Sequence, residues 1–116
     1  NEINAEITKR ILEVFGLAAD WMENGALAVE CFTKAEAGTY QAILMDIQMP
    51  IMDGYDATKA IRASSHKDAK TIPIIALTAD AFQDAIDRAH QAGMDDYITK
   101  PLEPALLKQV LLKWQS

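Results

Sequence analysis

A single cysteine, Cys31, among 116 residues leaves no internal disulfide to be made and fits a reducing compartment. It sits at helical spacing from Leu27 and Ala35, which reads as a small buried hydrophobe rather than a reactive thiol. Histidine is almost as scarce. His66 and His90 stand far apart with no metal-ligand spacing around either, and both read as solvent-facing. Positive charge is scattered over eleven Lys and Arg against seventeen Asp and Glu, for a net charge of −6. That balance argues against direct nucleic-acid binding. Long apolar runs are missing too: Ile72 to Leu77 is among the longest, far too short to cross a bilayer. No signal peptide is visible. There is no low-complexity stretch, repeat or linker, so the chain reads as one domain over 1–116.

Half of the residues are hydrophobic, and their spacing alternates between two periods. Ile3, Ile7, Ile11 and Phe15 recur as one helix face and stop at Gly16. A short strand is expected over Ala18 to Met22, closed by Asn24-Gly25 as a turn. Leu27, Ala28, Cys31, Phe32 and Ala35 mark a second helix ending near Gly38. Ala42 to Met45 is a continuous apolar run ending at Asp46, as in a strand buried on both faces. Ala57 and Ile61 define a third helix, and Ile72 to Leu77 the next buried strand, ending at Thr78. Phe82, Ile86 and Ala89 mark a fourth helix with Gly93 as its C-cap. Tyr97 and Ile98 form a short strand before Lys100. Leu106, Leu107, Val110, Leu111 and Trp114 stripe a last helix, with Pro104 in its first turn.

Strands alternating with helices call for a parallel sheet covered on both faces. In such sheets ligands bind at the carboxyl ends of the strands. Asp46, Thr78 and Lys100 fall at or just beyond three such ends. Each has an ordinary alternative: Asp46 as a helix cap, Thr78 as a strand terminus, Lys100 as a surface residue or a partner of Asp95 or Asp96. Together they make a more specific set. A carboxylate can attack phosphorus to form an acyl phosphate. The ammonium and the hydroxyl can then hold phosphoryl oxygens.

Met45-Asp46-Ile47-Gln48-Met49-Pro50 followed by Met52-Asp53-Gly54 resembles the phosphoacceptor loop of response-regulator receiver domains. Leu77-Thr78-Ala79 and Tyr97-Ile98-Thr99-Lys100-Pro101 resemble that family's two other signature segments, in the same order. The resemblance runs from Asn1 to about Trp114. Asn1 to Asn4 and Ala92 to Tyr97 are most similar to receivers of hybrid sensor histidine kinases.

The resemblance implies a flavodoxin-like doubly wound sheet of strand order 2-1-3-4-5. It implies that Asp46 is phosphorylated, that Lys100 contacts the phosphoryl oxygens, and that Thr78 moves toward them. Tyr97 would be an aromatic switch, and Gln48 and Asp80 would tune the lifetime of the acyl phosphate. Mg²⁺ would be held by the Asp46 carboxylate and the Gln48 carbonyl. A cis peptide is implied at Lys100-Pro101. The partner implied is a histidine kinase or a histidine-containing phosphotransfer protein, with no direct nucleic-acid or membrane contact. The location implied is cytoplasmic, including the cytoplasmic part of a membrane-bound hybrid kinase. The chain would phosphorylate and dephosphorylate itself rather than act as a stand-alone metabolic enzyme.

One departure stands out. Receivers carry an acidic pair after a first strand, and neither the strand nor the pair is in this sequence. The expectation is an apolar strand ending in two acidic residues ahead of Asn1. Two other classes stand as alternatives. Phosphatases using an aspartyl-phosphate intermediate place a second Asp two residues after the nucleophile, where Gln48 stands. A flavodoxin-like cofactor module would show a Ser/Thr/Gly-rich phosphate loop, and none is visible.

Overall fold

The computed structural model describes residues 2–14, 16, 20, 22, 24–79 and 82–114, with side chains from residue 8 onward. In chain order the elements are α1 (Glu2–Val14), α2 (Gly25–Lys34), β1 (Ile43–Asp46), α3 (Gly54–Ala63), β2 (Ile74–Thr78), α4 (Gln83–Ala92), β3 (Asp96–Thr99) and α5 (Pro104–Lys113). The strand expected over Ala18 to Met22 lies outside the described residues, save Asp20 and Met22, which are not in a strand. The three described strands are parallel, in the order β1-β2-β3.

The sheet separates two cores. Ile74 and Ala76 of β2 face Phe32, Tyr55, Ala57, Ile61, Ala89 and Ala92, from α2, α3 and α4. Ile75 and Leu77, one step along in register, face Leu12 of α1 and Leu107 and Val110 of α5. Side chains alternate across a strand, so an all-buried β2 needs a helical layer on each face. This is the doubly covered, flavodoxin-like arrangement.

Several local expectations shift. β2 starts at Ile74 rather than Ile72, because Pro73 has no N–H for the ladder; Ile72 is buried in the preceding turn. Asn24-Gly25 is not a strand-closing turn. Asn24 caps α2, its side-chain oxygen accepting from the Leu27 amide at 2.9 Å, and Gly25 is the first helical residue. Within α2, Phe32 is buried and Ala28 packs on the core, while Leu27 is 39% exposed. The buried stripe is therefore one residue round from Leu27, Cys31 and Ala35. Cys31 is half-buried, with Sγ 3.1 Å from the Tyr40 hydroxyl, which in turn donates to Asp20. The bond to Cys31 first, then that to Asp20, pushes the Tyr40 phenol well above its ordinary pKa.

His66 is not solvent-facing. It is half-buried against the Phe32 ring at 4.4 Å, with Nε2 2.8 Å from the Ala35 carbonyl and Nδ1 accepting from the Asp68 amide. A ring whose two nitrogens meet backbone groups leaves water without loss of hydrogen bonding. His90 is exposed as expected. Phe82 is not on the buried stripe of α4; it caps the helix start at 76% exposure. Leu106 is likewise exposed on α5, whose buried line is Leu107 and Val110. Gly93 closes α4 at φ +110, the left-handed cap its position predicts.

Candidate functional site

The parallel register brings the three distant polar residues to one edge. Asp46 pairs with Leu77, and Thr78 pairs with Thr99. Past the strand ends the ladder continues. Ile47 N–H donates to the Leu77 carbonyl at 3.1 Å, and Lys100 N–H donates to the Thr78 carbonyl at 2.8 Å. Each backbone bond therefore places one functional side chain relative to β2.

At that edge the Lys100 ammonium lies 2.5 Å from Asp46 Oδ2, with the two side chains 32% and 27% exposed. Asp46 Oδ1 accepts the Gln48 N–H at 3.1 Å. The carboxylate is thus oriented by a cation and a peptide dipole yet stays open to solvent, as a nucleophile toward an incoming group must. Lys100 does not pair with Asp95 or Asp96. Asp95 pairs with Arg62, and Asp96 takes the Trp114 indole N–H and lies near Lys113. Lys100-Pro101 is a cis peptide.

Thr78 is buried, 7% exposed, at the end of β2. It lines an open cleft with Gln48, Tyr55, Phe82 and Arg88. Tyr97 stands opposite Ala76 in β3 and packs, half-buried, against the core beneath α2, α3 and α4. Thr78 is two residues beyond Ala76, so it shares a sheet face with Tyr97. Asp80 lies outside the described residues.

Two features were not legible in the sequence. Asp53 caps α3, its side chain accepting from the Asp56 amide at 2.9 Å. Gly54 then brings the start of α3 against β1, and any Cβ there would overlap the Asp46 carbonyl oxygen. The only signal was a Gly following an Asp at the end of a loop, a pairing shared with many turns.

Among the described residues no group of three or more His, Cys, Asp or Glu could hold a metal ion. The Asp46 carboxylate and the Gln48 carbonyl are hard oxygen donors. They fit part of a shell for Mg²⁺, which binds through one or two carboxylates and completes its octahedron with waters and phosphate oxygens.

The family described as "Response regulator receiver domain" matches residues 1–112. The chain belongs to that family. This receiver domain is 42% identical over 115 residues to the sensor protein GacS of Pseudomonas syringae pv. syringae, covering 98% of the chain and 12% of GacS. It is 37% identical over 116 residues to the two-component response regulator ORR41 of Oryza sativa subsp. japonica, covering 98% of the chain and 87% of that protein. Among solved structures it is similar to the receiver domain of the sensor histidine kinase PA1611 of Pseudomonas aeruginosa PAO1. There the TM-score is 0.87 and the identity 38%, over 98% of this chain and 89% of that one. That structure has a magnesium ion coordinated in its active-site cleft. The chain thus spans only about an eighth of GacS, but most of ORR41. No described helix is long and apolar enough to cross a membrane.

Proposed function

We propose that the chain, over 1–116, takes a phosphoryl group from a phosphohistidine onto Asp46 and changes conformation in response. The supporting observation is the Lys100 ammonium held 2.5 Å from Asp46 Oδ2 at the carboxyl end of the sheet. In the transfer an Asp46 oxygen attacks phosphorus and the P–N bond breaks. The electron pair departs on the imidazole nitrogen, leaving a neutral imidazole on the donor once protons equilibrate, and an acyl phosphate on Asp46.

Lys100 neutralises a phosphoryl oxygen as charge gathers there, and Thr78 approaches another through its hydroxyl. Tyr97, on the same face as Thr78, moves inward with it. Gln48 and Asp80 border the path of an attacking water and set how long the acyl phosphate lasts. Asp46 and the Gln48 carbonyl would hold Mg²⁺, which when bound would supply positive charge to the phosphoryl oxygens. The donor is a histidine kinase or a histidine-containing phosphotransfer protein. The domain works in the cytoplasm, in a hybrid sensor kinase of the kind it resembles, without touching nucleic acid or membrane itself.

Acetyl phosphate with Mg²⁺ tests the reading directly. The protein should gain one hydroxylamine-labile phosphoryl group, and Asp46→Asn should gain none. Labelling of that variant at the original rate would place the acceptor elsewhere.

A further inference from the structure

The loop carrying Gln48, residues 47–53, is held from outside by a residue far away in sequence. Gly25 N–H donates to the Met52 carbonyl at 3.0 Å. Two other backbone bonds fix the loop from inside: Ile47 N–H to Leu77, and Gly54 N–H to the Ile47 carbonyl at 2.9 Å. Between these fastenings the chain makes an unfavourable turn. Met52 N–H donates to the Pro50 carbonyl at 2.7 Å around Ile51, whose φ is +69. That is a γ-turn with a β-branched residue at its centre, a conformation kept only where the surroundings impose it. The Ile51 side chain itself imposes nothing, being 86% exposed.

Gly25 is an odd residue for its place. It opens a helix, where glycine is the poorest former after proline, and its φ is not in the left-handed region. Its dihedral does not call for glycine; its neighbours do. A Cβ there would overlap the Met52 carbonyl oxygen and lie 3.0 Å from the Met52 carbonyl carbon and 3.1 Å from Ala57 Cβ. The first two are backbone atoms, which cannot swing aside as a side chain does. Asn24, by capping α2, fixes where that glycine stands.

We propose that Gly25 is a positioning residue for phosphoryl transfer: its amide and its bare Cα hold the Met52 carbonyl, and through it the Gln48 peptide that orients Asp46. The inference rests on Asp46 being the acceptor. A methyl group at position 25 pushes Met52 outward, breaks the Gly25 bond and lets the Ile51 turn relax. The Gln48 amide then leaves Asp46 Oδ1, and its carbonyl leaves the place where it would meet Mg²⁺.

The test uses the intact protein carrying this chain, with acetyl phosphate and Mg²⁺ as the probe. Gly25→Ala should slow labelling several-fold and, in metal-free protein, displace the Gln48 and Met52 amide resonances. Lys34→Gly weakens α2 from its far end and should do neither at a comparable loss of thermal midpoint. If Gly25→Ala does not fold, Asn24→Ala replaces it, since it loosens the start of α2 without added bulk. Labelling at the wild-type rate, or equal slowing by Lys34→Gly, would overturn the proposal. Should the wild-type protein take no label, the acceptor reading falls, and the amide resonances alone decide whether Gly25 places the loop.

Discussion

The Arg62–Asp95 pair at one end of the sheet and the Lys100–Asp46 pair at the other are set in different surroundings. At the amino end of the strands Arg62 donates to the carbonyls of Gly93, Ala69 and Ile72 and to Asp95, all within 2.8 to 3.0 Å. Asp95 also accepts the Ile74 N–H at 2.9 Å. One guanidinium thereby ties the ends of α3 and α4 to the starts of β2 and β3. Its planar fork suits several fixed acceptors at once. At the carboxyl end stand a lysine and an aspartate, half-exposed. A lysine ammonium is a compact charge with rotatable donors on a flexible stem, able to follow a new acceptor. Similar chemistry is a rivet in one place and, on the proposed reading, a working part in the other.

The comparison predicts that the two pairs fail differently. Arg62→Ala takes a donor from three backbone carbonyls and from Asp95, which keeps the Ile74 N–H, and should cost about 2 kcal/mol of stability, chiefly from the backbone oxygens left unpaired. Urea unfolding measures it, and a loss well under half of that would show the rivet to be dispensable. Lys100→Met should cost less than about 1 kcal/mol yet slow phosphorylation by acetyl phosphate on the order of 10²-fold. Reversed outcomes, with Lys100 structural and Arg62 needed only for labelling, would break the comparison.

Finer variants sharpen the working end. Thr78→Ala should still accept the phosphoryl group while uncoupling it from Tyr97, because the dianion no longer rewards one state of that face. The Tyr97 ring resonances, followed on adding beryllofluoride, should then stay unchanged. A response identical to wild type would remove Thr78 from the coupling. Exchanging Gln48 and Asp80 together for Ala should alter the dephosphorylation half-life several-fold with little effect on unfolding, and an unchanged half-life would clear both positions.

The smallest effect lies between the two ends. Thr58 Oγ1 is fully buried in α3, without a hydrogen-bond partner among the described residues. Thr58→Val should therefore raise stability by up to about 1 kcal/mol, since it removes an unsatisfied hydroxyl at nearly constant volume. A lower thermal midpoint would mean that the hydroxyl is satisfied in solution.

The strand runs and the helix ends were legible in the residues. The apolar runs before Asp46 and Thr78 announced strands buried on both faces. Gly93 and Pro104 marked helix ends because their backbone chemistry allows little else. Asp46, Thr78 and Lys100 could be brought to one edge on paper, because parallel strands present their carboxyl ends together.

What lay beyond reach was every preference that only a neighbour creates. Asn24-Gly25 has the composition of a turn; it is the start of α2, with Asn24 as its cap and the Met52 carbonyl packed against Gly25. Phe82 and Leu106 fit a helical stripe by spacing, but which side of a stripe is covered depends on what the sheet places beside it. His66 and Arg62 are polar by composition and half-buried in fact, because backbone carbonyls from three separate loops converge on them. Local sequence determined which segments become strands and helices and which side chains can do chemistry. The tertiary structure decided which of those side chains are held rigid and which stay free to act, because hydrogen-bond partners distant in the chain exist only once it has folded.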